Sequence, residues 1–145
     1  MERTGADVDA MLQTVDEARR GDMIALDTLI VDRMRAAGVA DRERELWEGV
    51  FWSGTFQQIV GYVRTEQERP KGPAVEWFLI GIAAQQKHVS LYVNAAVAGE
   101  YLVKKHAPRL AGAKVGAAAV TIPTLSKVDP QALIDLIDEA LATLD

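Results

Sequence analysis

The sequence predicts an α+β fold: an antiparallel sheet of about four or five strands packed against N- and C-terminal helices. Three observations predict it. Residues 75–93 hold two short runs, VEWFLIGIA and VSLYV, rich in β-branched and aromatic residues and separated by the polar bend AQQKH, which reads as a central hairpin. The first third of the chain repeats apolar residues at helical spacing. The tail does so again after an Asp-Pro start. With 145 residues, 49% of them hydrophobic, the chain can bury one sizeable core, so residues 1–145 are expected to form a single domain with 1–45 as a helical N-terminal segment.

Val8, Met11, Leu12 and Val15 make one helical stripe, with Asp9 and Asp16 on the other side. Gly21 is expected to break that helix and Asp22 to cap the next, whose stripe is Met23, Leu26, Ile30 and Met34 before Gly38 closes it. A third short helix is expected from Asp41 to Glu48. Composition then changes to strand formers, and Gln57–Thr65 reads as a strand. Alternation puts Val60 and Tyr62 on one face and Ile59, Gly61 and Val63 on the other, with Gly61 marking a bulge or a close approach. The breakers Pro70, Gly72 and Pro73 turn the chain into the central hairpin. A helix is expected from about Gly99 to Ala107 before Pro108, and the segment from Lys114 to Pro123 reads as a further strand. Asp129 caps the last helix with Pro130 at its first position, and its buried stripe is Leu133, Ile137, Ala140, Leu141 and Leu144.

Charge is distributed unevenly. Residues 1–49 carry twelve acids and seven bases, residues 50–128 four acids and nine bases, and residues 129–145 five acids and no base. Acidic ends attracted to a basic middle across the fold explain this pattern; an anion site on the middle region is the second reading. An overall charge of −5 and modest basic content argue against nucleic acid as a partner. No apolar run is long enough to span a membrane, the start MERTGADVD is charged where a secretion signal would be apolar, and cysteine is absent, so a cytoplasmic location is expected.

A resemblance adds to this reading. The stretch WEGVFWSGTFQQIVGY, the run KHVSLY from Lys87 to Tyr92, the segment LAGAKVG from Leu110 to Gly116 and the tail VDPQALIDLID resemble the YdhG-like family of small bacterial domains of unknown function. The resemblance implies an antiparallel sheet packed on helices, and one branch of the family is regarded as frataxin-like iron chaperones. Many relatives follow Lys-x-Gly with a Gly-Lys-Ser-Cys-like run. Here Gly116 is followed by Ala117, Ala118 and Ala119, which cannot supply that lysine, hydroxyl or thiol.

Three constellations are candidates for chemistry. His88, Ser90 and Tyr92 share one strand face, but neither a carboxylate orienter nor an oxyanion-hole motif accompanies the Ser-His pair, which argues against a hydrolase. Two distant histidines and no ligand motif argue against a closed transition-metal site. The frataxin-like resemblance points instead to exposed carboxylates, among Asp9, Asp16 and Asp22 or, at i, i+3, i+4 on the last helix, Asp135, Asp138 and Glu139, with iron as the candidate ion. A solvated helix face is the other account of these acids. The third constellation is Trp52, Tyr62, Lys87, His88, Tyr92 and Lys114: if they converge, aromatic walls and two lysines suit a small anionic or planar ligand, and otherwise the aromatics are core. The expected function is a non-enzymatic binding module for iron or a small ligand, acting as a monomer or homodimer. A structural or protein-interaction domain, working as a homodimer, is the alternative.

Overall fold

The computed structural model describes residues 1–40, 43–50, 54–67 and 70–144. It is an α+β structure in which one antiparallel sheet carries the helices on one face. The chain begins with a short edge strand β1 (Glu2–Arg3) and helix α1 (Val8–Thr14), capped by Asp7, whose carboxylate accepts the Ala10 N–H at 3.1 Å. Helix α2 (Glu17–Ala36) runs straight through Gly21. The break between the helices lies at Val15 and Asp16, which are extended, and not at Gly21 as expected. A glycine inside a helix costs only about 1 kcal/mol relative to alanine, and the full burial of Leu26, Ile30 and Met34 on the same helix outweighs it. Gly38 does close α2: at φ 77° it lets the Val39 N–H reach the Met34 carbonyl at 2.8 Å and its own N–H reach Arg35.

The short helix expected over 41–48 is not formed. Arg44–Val50 is instead strand β2, paired antiparallel with β3 (Phe56–Gln67), while Asp41 and Arg42 lie outside the described residues. The reason is that Leu46 and Trp47 are buried on opposite sides of the chain, which a strand satisfies and a helix does not. The N-terminal 45 residues are therefore helical only between the two strands β1 and β2.

The central hairpin is present as β4 (Val75–Ala84) and β5 (Val89–Val93). A small separate ribbon, β6 (Ala96–Val97) and β7 (Glu100–Tyr101), turns on Gly99 where a helix was expected to start, so that helix shortens to α3 (Leu102–His106). The predicted strand after Lys114 is two strands, β8 (Lys114–Val115) and β9 (Ala119–Ile122), folded back on each other. Helix α4 (Pro130–Ala142) completes the chain, with Asp129 accepting the Gln131 N–H at 3.0 Å. Its buried side includes Ala132 and Leu136, whereas Leu144 is exposed beyond its end. The sheet order is β1-β2-β3-β4-β5-β9-β8, so seven strands replace the four or five expected.

The two sheet faces are covered differently. Leu46, Val60, Tyr62, Ile80, Ile82, Leu91 and Val120 meet the helices in one continuous core. On the other face Trp47, Ile59, Phe78, Ala83 and Tyr92 form a smaller cluster, against which Met1, Trp77 and Ala119 pack. Gly61 and Gly81 pair across β3 and β4 and make room for it: a Cβ on Gly61 would lie 2.5 Å from Trp47 Nε1, and one on Gly81 would lie 2.6 Å from Phe78 Cε2. Gly61 thus marks a close approach, the second of its two expected roles. Alternation slips once. Val63, at φ 66°, and Leu79 both join the helical core, and Phe78 joins the aromatic face, against the simple period of two.

Candidate functional site

At one end of the sheet the α1–α2 junction, the start of β3 and the β4–β5 bend stand around an open cleft of about 960 Å³. Its exposed apolar side chain is Phe56, with the edges of Met11, Val15 and Tyr92 beside it and Met23 buried behind them, and its polar surface comes from Gln57, Gln85, Lys87, His88, Asp16 and Arg19. The strand register explains the meeting: β3 begins where β4 ends, and the bend after Ala84 returns the chain over the same edge.

Gln85 organises the polar wall. Its Oε1 accepts from Ser90 Oγ at 2.6 Å and stands 2.6 Å from His88 Nε2, while its Nε2 donates to Gln57 Oε1 at 2.9 Å and to Tyr92 Oη at 3.3 Å. The Tyr92 hydroxyl also donates to Gln57 Oε1 at 3.3 Å. Ser90 and His88 are thus both donors to one amide oxygen. A hydroxyl engaged in this way, on a buried serine, is not paired with the imidazole as nucleophile and base. Burial first, and then the charge of Arg19, hold the His88 imidazole below its ordinary value, which favours its neutral form.

Arg19 stands on the opposite wall. Its Nη1 donates to the Ala18 carbonyl at 2.8 Å and its Nη2 to the Gln86 carbonyl at 3.0 Å, which ties α2 to the hairpin bend, while its buried Nε meets no partner among the described residues.

The sequence-predicted residues divide into those brought together and those kept apart. Lys87, His88 and Tyr92 meet at the cleft. Tyr62 does not: it is fully buried under the helices and donates to Asp27 Oδ1 at 2.6 Å, and that carboxylate also receives Arg44 Nε at 2.8 Å and Nη2 at 2.7 Å. Lys114 lies on β8, the last strand at the sheet's other edge, and is not at the cleft. Trp52 lies outside the described residues. Arg19, Gln57 and Gln85 were missed, because each is an ordinary polar residue in its own segment and only the strand register and the helix break bring them together.

The three carboxylates of α4 each face a different cation. Asp138 takes a bidentate contact from Arg33 at 2.7 and 2.8 Å, Asp135 accepts from Arg109 at 2.6 Å and Gln131 at 2.9 Å, and Glu139 accepts from Lys105 at 2.7 Å and His106 at 2.9 Å. These contacts hold the Asp135 and Glu139 carboxyls below their ordinary range. Asp9 pairs with Arg44, and Asp22 accepts the Leu125 N–H. Among the described residues no group of three or more His, Asp or Glu is placed to hold a metal ion. As arranged, the α4 acids are docking contacts and not a shared cage, so the donor set does not fit iron. Among the described residues no helix is long and apolar enough to cross a membrane.

Comparison with family models, with curated proteins and with solved structures gave no match.

Proposed function

We propose that the protein is a non-enzymatic binding module that takes a small ligand in the cleft at the end of the sheet. The observation that carries this reading is the cleft itself, because it combines apolar walls with a few convergent polar groups at a volume, about 960 Å³, typical of sites for metabolite-sized molecules. The arrangement of Ser90 and His88 on one amide oxygen supports binding over hydrolysis. A homodimer has one observation in its favour: Val50 and Phe56, paired across β2 and β3, are both 61% exposed.

A melting-temperature screen of small metabolites tests the ligand reading. Gln86 is exposed at the rim, so Gln86→Trp should fill part of the cleft while leaving the melting temperature of the free protein nearly unchanged. A stabilising ligand is expected whose shift disappears in Gln86→Trp. A shift equal in both proteins would put the site elsewhere, and native mass spectrometry of the same samples reports whether a dimer forms instead.

A further inference from the structure

We infer that the ligand is a small organic monocarboxylate, its carboxylate held by Arg19 and its apolar body laid against the exposed Phe56 ring and the edges of Met11 and Tyr92. This rests on the cleft being a ligand site and adds the ligand's charge and head group.

Arg19 differs from most arginines of the molecule. Arg3, Arg33, Arg44, Arg64 and Arg109 each contact a carboxylate, whereas among the described residues no acid lies within 4.0 Å of Arg19, which bonds only to backbone carbonyls. Those two bonds fix the guanidinium in place. Each terminal nitrogen carries two N–H groups and uses one, so each keeps one for a ligand oxygen. The planar guanidinium can present paired N–H groups to the two oxygens of a carboxylate, a match that lysine lacks.

Charge at the cleft sets the valence. Among the described residues lining the cleft, Arg19 and Lys87 are opposed by Asp16, and the lowered imidazole value of His88 favours its neutral form, so one positive charge is left to be balanced. A monoanion balances it. A phosphate dianion would call for a second unopposed cation, and it would leave the exposed Phe56 ring without an apolar partner. An amine would meet one acid of the lining, Asp16, against two like charges, Arg19 and Lys87.

The test is a calorimetric titration with a matched series: small aryl and alkyl carboxylates, their primary amides, the corresponding amines, and inorganic phosphate. The carboxylates should bind the wild type roughly tenfold tighter than their amides, as loss of a charge-assisted contact implies. Arg19→Gln should erase that preference by lowering carboxylate affinity far more than amide affinity, and a far-UV circular dichroism spectrum matching that of the wild type shows that the variant is folded. Arg19→Lys should keep part of it. Amides, amines or phosphate binding as tightly as carboxylates, or a preference that survives Arg19→Gln, would overturn the monocarboxylate and leave the cleft standing. Absence of binding by every carboxylate would overturn it too. Carboxylates that bind wild type and Gln86→Trp alike would remove the cleft as well.

Discussion

Single side chains carry two separate burdens in this fold. Asp27 is 7% exposed, and its carboxylate gathers the buried Tyr62 hydroxyl and the Nε–Nη2 edge of Arg44, joining α2 to β2 and β3. Tyr62→Phe removes one of three donors and should cost about 1–2 kcal/mol. Asp27→Ala leaves the hydroxyl unpartnered and strips Arg44 of its buried acid, so a loss of about 3 kcal/mol or more is expected in urea unfolding. On the other face, Gly61→Ala places a methyl group 2.5 Å from the Trp47 indole nitrogen. The ring must move, and a loss of roughly 1–3 kcal/mol with a change in near-UV circular dichroism is expected; an unchanged spectrum would mean that the ring is not seated there. His88 adds a pH dependence. Its folded value is lowered, so its contribution to stability is fully present above the ordinary imidazole value and is lost as pH falls through the lowered one. The same protonation adds a cation beside Arg19, so carboxylate binding should tighten over that window, and His88→Gln should remove the tightening.

Among the elements, the central hairpin has a ladder on both sides, β3 beyond β4 and β9 beyond β5. Its amides from Phe78 to Ala83 and from Val89 to Val93 should therefore exchange slowest, and those of Lys71 and Gly72 fastest; equal rates would contradict the sheet order. The hairpin was legible in sequence because its composition and bend agree. The helix expected over 41–48 was not, since Glu43–Glu48 reads equally well as a polar helix and only pairing with β3 decides for a strand. The slip at Val63 and Leu79 was hidden for a similar reason: nothing local announces a left-handed valine. Helix α4 is docked by its acids as well as by its apolar side. Because Asp135 and Glu139 titrate below their ordinary range, their contribution is present above the unfolded carboxylate values and is lost as pH falls through the folded ones. Exchange protection in α4 should fall before that of β4 on acidification, and high salt should weaken the difference between them.

At the scale of the molecule, the uneven charge of the sequence becomes intelligible: the acidic tail folds as α4 onto Arg33 of α2, Lys105 of α3 and Arg109. The basic middle is in part the counterpart of that helix. The remaining cations of interest, Arg19 and Lys87, are at the cleft, where Lys87, His88 and Tyr92 were legible from one strand and its bend, and Arg19 was not. The sequence places Arg19 among other charged residues at the start of α2, some 70 positions from the bend it meets, and only the break at Val15 and Asp16 turns it there. Ligand binding in this cleft is open to measurement through the four methionines. Met11 borders the cleft and Met23 is buried directly behind it, Met34 lies toward the far end of α2, and Met1 lies beside Trp47. In a methyl NMR titration of methionine-labelled protein with a stabilising carboxylate, the signals of Met11 and Met23 should move together while those of Met1 and Met34 stay in place. Movement confined to Met1 or Met34, with Met11 and Met23 fixed at saturation, would contradict the account.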